Sequence, residues 1–186
     1  MPRIATPTLQ NQLAYSDDFT GYSQITCTIG QNAVNSPFGM AQAIIPSVGS
    51  GQHYITTTLP ASTVNVTAGW ATFSVYSYAL GFRYIRVQLG SGANNPLAYF
   101  DLQNGSIGTI VGENLQNYPP TIEAVKGWAG WYRCSITFKA AKTTIFNSVY
   151  LLCTNTDNSN ISTGDGVSGI AVIGAQVTNA NWAGLS

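Results

Sequence analysis

The sequence predicts an all-β chain folded as a two-sheet antiparallel jelly-roll sandwich, and three observations carry that expectation. Short β-branched and aromatic runs recur along the 186 residues, each bounded by turn residues. Nineteen glycines and eight prolines punctuate the chain, and Ser, Thr and Asn are abundant. No window rich in Ala, Glu, Lys and Leu carries a helical apolar period. Roughly eight to ten strands in one domain of this size point to two packed sheets.

Taken in order, Ile25 to Ile29, Tyr54 to Thr58 and Val64 to Val66 are short strand candidates. Ala71 to Tyr78 sets Phe73 and Val75 against Thr72, Ser74, Tyr76 and Tyr78. Arg83 to Leu89 turns Ile85, Val87 and Leu89 inward and Tyr84, Arg86 and Gln88 outward. Leu97 to Gln103 and Ser106 to Val111 flank Asn104-Gly105, a pair that suits a type I′ hairpin because both central residues there need positive φ. Trp131 to Lys139 is the clearest strand. Tyr132, Cys134, Ile136 and Phe138 fall on one face, and Trp131, Arg133, Ser135, Thr137 and Lys139 on the other. Ile145 to Cys153 and Gly169 to Val177 are apolar on both faces, as central strands or strands covered by a neighbouring subunit are. No repeat or linker divides the chain. Residues 1–10 are therefore expected to form an N-terminal arm, with Pro2 and Pro7 discouraging helix, and residues 11–186 a single jelly-roll domain.

Composition narrows the function classes. Seven basic and seven acidic residues give a net charge of +0, and only 8% of the chain is charged against a typical ~25%. A broad cationic face for nucleic acid cannot be built from that, and the 45% hydrophobic content excludes disorder. The N-terminus lacks the apolar run of a secretory signal, and no stretch is long and apolar enough for a membrane-spanning helix. Cys27, Cys134 and Cys153 are odd in number and far apart, so they read as buried small hydrophobes of a chain made in reducing cytoplasm. Cys134 should face the core unbridged, with a Cys134–Cys153 disulfide as the alternative if consecutive strands bring them together. So sparse a charge offers little protection against association and suits a chain that lives inside an assembly.

Five segments together resemble a known module: 11–19 (Asn-Gln-Leu-Ala-Tyr-Ser-Asp-Asp-Phe), 72–77 (Thr-Phe-Ser-Val-Tyr-Ser), 98–102 (Ala-Tyr-Phe-Asp-Leu), 130–135 (Gly-Trp-Tyr-Arg-Cys-Ser), and 164–169 (Gly-Asp-Gly-Val-Ser-Gly) running into Gly174-Ala-Gln176. Their order is similar to that of a jelly-roll module, related in shape to carbohydrate-binding modules, that recurs in virion proteins of tailed bacteriophages. The resemblance implies a virion location, in a capsid decoration (cement) protein or a tail-associated protein. The chain departs from the usual pattern at Ser77-Tyr78, where many relatives carry a basic turn, and in an extra loop at Asn155 to Thr163.

Catalysis has little to work with. His53 is the sole histidine and is expected to sit exposed at the start of a strand, without a nucleophile motif beside it. Asp17-Asp18, Asp101, Asp165, Glu113 and Glu123 show no spacing that would pair two carboxylates for glycoside hydrolysis. No cofactor motif is present, so a non-enzymatic protein without cofactors is expected. Asp17, Asp18 and Asp165 are the residues to suspect for a structural Ca²⁺, against the plainer reading of turn-capping aspartates. Outward aromatics remain as contact candidates for glycan or protein: Trp128, Trp131, Tyr76, Tyr78 and Tyr84, with Arg133 beside them. Trp131 reads more readily as framework than as a sugar platform.

Two function classes follow. One is a capsid decoration protein, made in the host cytoplasm, that clamps the major capsid protein or other virion proteins. Three-fold positions on the shell would suit a homotrimer. The other is a tail-associated, receptor-binding module for host-surface glycan. The short span outside the jelly roll and the doubly apolar strands favour the first.

Overall fold

The computed structural model describes residues 11, 13, 16–59, 70–90, 95–112, 115, 118–139 and 148–180. The arm over residues 1–10, the strand expected over 64–66, Glu113 and the start of the strand expected from Ile145 lie outside the described residues.

Among the described residues a 3-10 turn, Phe19–Gly21, precedes fourteen strands: β1 (Ser23–Ile25), β2 (Cys27–Ser36), β3 (Gly39–Pro46), β4 (Gly49–Gly51), β5 (Tyr54–Thr58), β6 (Trp70–Leu80), β7 (Tyr84–Leu89), β8 (Leu97–Asp101), β9 (Ser106–Val111), β10 (Thr121–Ala124), β11 (Trp131–Lys139), β12 (Ser148–Thr154), β13 (Ser162–Gly164) and β14 (Gly169–Ala180). Sheet A runs β1-β5-β12-β7-β8-β9 and sheet B runs β10-β11-β6-β14-β3-β2, while β13 and β4 form a small ribbon. Without the edge strands, β5-β12-β7-β8 faces β11-β6-β14-β3. Counted one to eight along the chain, these run 2-7-4-5 and 6-3-8-1, the double Greek key of a jelly roll.

The period-two pattern builds the core. Ile55, Leu151, Ile85, Val87, Leu89 and Phe100 of sheet A meet Phe73, Val75, Cys134, Ile136, Ile170 and Val172 of sheet B. The two doubly apolar strands are central: β12 lies between β5 and β7, and β14 between β6 and β3. The outer side chains of β14, Ala171 and Ile173, are buried under Trp131, Tyr76 and Tyr78 of the same chain. A neighbouring subunit is therefore not needed to explain the β14 pattern. All three cysteines are buried and free. Cys134 sits in sheet B and Cys153 in sheet A, so the two strands expected to bring them together lie in different sheets. Burial pushes the Cys27 thiol up to about 11.

Two local expectations fail. The β8–β9 connection is not a two-residue type I′ turn: Asp101 pairs with Ser106, leaving a four-residue loop. The Asp101 carboxylate accepts the N–H groups of Gln103 (3.0 Å) and Asn104 (3.2 Å), and Gly105 N–H bonds back to Asp101 O at 2.9 Å. That winds the chain into a helical turn in which Gly105 alone takes positive φ (64°), and β8 stops at Asp101. His53 is buried, not exposed. Its Nδ1 lies 2.6 Å from Thr26 O, and its Nε2 lies 3.2 Å from the carbonyls of both Gly49 and Ser162. The ribbon of β4 and β13 folds over the start of β5, a long-range contact that local pattern does not show.

Candidate functional site

The outward aromatics divide between opposite surfaces. Tyr76, Tyr78, Trp131 and Arg133 share the outer face of sheet B, because each stands one residue out of step with the core positions of β6 and β11. Trp131 pairs with Tyr78 and Arg133 with Tyr76 in adjacent strands, and Tyr76 in turn pairs with Ile173 of β14. The Tyr78 and Trp131 rings lie 5.5 Å apart. Trp131 is only 2% exposed, so it floors this face. Trp128 is 38% exposed, on a tight turn closed by its N–H to Val125 O (3.0 Å) and by Trp131 N–H to Trp128 O (3.2 Å). Arg133 Nη2 donates to Ser74 Oγ at 3.3 Å, and its Nε is buried without a partner. Beside these rings runs a hydroxyl-bearing strip, where Ser74 pairs with Ser135 and Thr72 meets Thr137 at 2.9 Å.

Sequence reasoning missed one residue of this face. Phe38 packs against Tyr76 with ring centroids 4.5 Å apart and is 58% exposed. It belongs to the β2–β3 hairpin, whose Gly- and Asn-rich strands lack clean alternation. The bulge between Gly30 and Val34 disrupts the period further.

Tyr84 lies on the other side of the molecule. On the outer face of sheet A it clusters with Leu97 and Tyr99, and all three are buried. Arg83 lies over the Tyr84 ring at 5.0 Å and Arg86 over Tyr99 at 5.8 Å. Tyr54 and Tyr150 form a further ring pair at 5.6 Å. Part of the cover comes from the extra loop after β12. Asp157 reaches past β7 and β8 to β9, where its carboxylate accepts Thr109 N–H at 2.8 Å and Thr109 Oγ1–H at 3.0 Å. Thr109 sits at a register shift of β9, so its amide lacks a ladder partner and Asp157 supplies one.

The acidic candidates do not converge. Asp17 accepts Gly174 N–H at 3.0 Å, at the register shift of β14. Asp18 caps the 3-10 turn through Thr20 N–H (3.0 Å), and its bonds to Thr20 hold its pKa below the usual value. Asp165 accepts Val167 and Ser168 N–H (2.8 and 2.7 Å) and Ser168 Oγ–H (2.7 Å). These bonds hold it at about 2. Among the described residues no group of His, Cys, Asp or Glu is arranged to hold a metal ion.

Among the described residues Asp101 is the buried carboxylate. Burial alone would raise its pKa, but the Arg83 guanidinium, with further bonds from Asn104 and Gln103, outweighs burial and holds it at about 2. Because its folded-state pKa lies below the unfolded value of about 3.9, the stabilisation is present at neutral pH. It is lost as pH falls from about 4 through about 2. Asp101→Asn is expected to lower the melting temperature at pH 7 by several degrees and to flatten the loss of stability on the acid side. Thermal melts of both proteins across that pH range check it.

No family model matches the sequence, and no curated protein matches it. Solved structures are similar in fold. The enzymatically active domain of tailspike protein 4 from bacteriophage CBA120 matches at TM-score 0.51 and 10% identity, over 91% of this chain and 21% of that one. The CBM22-1–GH10 modules of xylanase 10B from Clostridium thermocellum, complexed with xylohexaose, match at 0.46 and 13%, over 97% and 30%. A protein from Bacteroides thetaiotaomicron matches at 0.34 and 9%, over 92% and 86%. The chain thus spans about a fifth of the tailspike chain and under a third of the xylanase chain. The tailspike match shows a shared β-sandwich fold, and at this identity the fold alone.

Proposed function

We propose that the chain is a non-enzymatic binding domain of a bacteriophage particle whose sheet B outer face contacts host-surface glycan. One observation carries the reading: half-buried Tyr76 and Tyr78 stand on the outer face of sheet B beside half-buried Arg133 and the hydroxyls of Thr72 and Thr137. Aromatic faces take up the apolar side of a pyranose ring, and adjacent polar groups bond its hydroxyls. A non-catalytic role is supported by where the acids go. Asp17, Asp18, Asp101, Asp157 and Asp165 each accept backbone N–H bonds, which is scaffold work.

A second reading rests on Phe38. A large apolar side chain so exposed beside Tyr76 suits protein contact, in which aromatic residues and Arg are enriched. On that reading the domain is a capsid decoration protein, a homotrimer seated on the major capsid protein.

Retention by immobilised bacterial surface polysaccharides separates the two. Tyr76→Ala and Trp128→Ala are each expected to weaken retention about tenfold, the worth of one stacked ring at roughly 1–1.5 kcal/mol. Trp128→Ala should leave the melting temperature nearly unchanged, since the Trp128 side chain is exposed. No retention on any polysaccharide, together with a trimer by light scattering that co-sediments with assembled shells, would replace the glycan reading with the decoration one.

A further inference from the structure

We infer that the cleft at one end of the sandwich, lined by Ala79, Gly81, Phe82, Arg83, Gln103 and Asn155, is a binding subsite for a neutral sugar unit. It lies apart from the sheet B face and does not rest on the reading of that face. Its volume of about 400 Å³ falls within the range of small-ligand sites. Three connections supply it: the β6–β7 link, the β8–β9 turn and the loop after β12. Loops held at one end of a rigid sandwich are where such scaffolds commonly place recognition.

Arg83 is the fixed point of the cleft. Asp101, itself buried, grips its Nε at 3.1 Å and its Nη2 at 2.6 Å, while the guanidinium rests over Tyr84. A guanidinium held on two nitrogens and one face is pre-organised, so presenting the third costs little ordering entropy. That nitrogen, Nη1, makes no hydrogen bond among the described residues, and the Arg83 side chain is 38% exposed. Asn155 is held similarly. Its Oδ1 accepts the Arg83 backbone N–H at 3.0 Å, and its Nδ2 makes no hydrogen bond among the described residues. Gln103 adds an exposed amide to the lining, its backbone N–H already committed to Asp101. Half-buried Ala79, over the buried Phe82, adds apolar surface.

The chemistry of the ligand follows from this set. Three side chains offer N–H donors, so the ligand must be rich in oxygen acceptors. Asp101 cancels the Arg83 charge and Asp157 adds a nearby negative one, so the cleft has no net attraction for an anion. A neutral sugar meets both conditions: hydroxyl and ring oxygens for the donors, a C–H face for the apolar surface.

The test is an NMR titration of the whole chain with glucose, galactose, N-acetylglucosamine and rhamnose at millimolar concentration, with inorganic phosphate as the anionic probe. At least one sugar is expected to shift the side-chain amide signals of Gln103 and Asn155 and the guanidinium signal of Arg83, and phosphate is expected to shift none. Asn155→Asp keeps the oxygen that accepts the Arg83 N–H but replaces the donor, and Gln103→Ala removes an exposed amide. Each should weaken the sugar about tenfold, the loss of one matched hydrogen bond. Shifts confined to Tyr76 and Trp128, no shift with any sugar, or tighter binding of phosphate than of every sugar would each overturn the inference. The first of these outcomes would leave the sheet B reading standing.

Discussion

Replacing Trp131 by alanine is expected to destabilise the domain by about 3–5 kcal/mol, the range for truncating a large buried aromatic. The side chain stands on the outer face of a sheet, where substitutions are ordinarily mild. Yet it is 2% exposed and packs with Ala41, Ala171 and Ile173, flanked by Tyr78, Leu80 and Val125. Removing the indole takes a lid off the outer face of β14 as well as leaving a void, so both lost burial and the cavity contribute. Tyr78 and Tyr76 are only half-buried and can relax toward the void, which argues for the lower half of the range. Urea denaturation of the variant against the parent measures the loss, and Trp131→Phe should recover part of it. A variant that melts like the parent but no longer binds polysaccharide would make Trp131 a sugar platform instead of a floor.

The same residue marks how far the sequence could be read. Strict alternation in β11 and β6 told which face Trp131, Tyr76 and Tyr78 occupy, because a period of two leaves no ambiguity where one face is core. It did not tell that Tyr84, equally outward on β7, belongs to the other sheet. Which sheet a strand joins is decided by long-range pairing, β7 with β12 and β8 against β6 with β11 and β14. Apolarity on both faces of β12 and β14 was legible as centrality, though not what would cover them; for β14 the cover comes from within the chain. His53 and the Asn104-Gly105 turn were misread for a common reason. Each is governed by a partner that local pattern does not name: the ribbon carbonyls for His53, and the Asp101 carboxylate for the turn. The end cleft was illegible for the same cause, since Arg83, Gln103 and Asn155 come from three separate connections.

Gly164→Ala is expected to cost on the order of 3 kcal/mol or more and to impair folding, an effect set by backbone and not by side-chain chemistry. A Cβ at Gly164 would sit well inside contact distance of the Ser47 carbonyl oxygen and 2.9 Å from Pro46 C. Neither obstacle is the end of a flexible side chain, so relief requires moving the β3–β4 connection itself. Gly169 meets the same limit at the Ile44 carbonyl oxygen. The two glycines bracket Asp165, whose carboxylate fixes the amides of Val167 and Ser168, while Gly166 N–H bonds Pro46 O at 3.1 Å. The segment 164–169 is therefore a backbone crossing pressed onto the end of β3, where close approach and an internal cap dictate the residues. Gly51 supplies the control. It lies in the same ribbon, pairs with Ser162, and a Cβ there meets nothing within 4 Å. Gly51→Ala should be within about 0.5 kcal/mol of the parent, since Ala loses less chain entropy on folding than Gly. Thermal melts of the three proteins decide the matter: a Gly164→Ala variant as stable as Gly51→Ala would mean that β13 does not pack against Pro46 and Ser47.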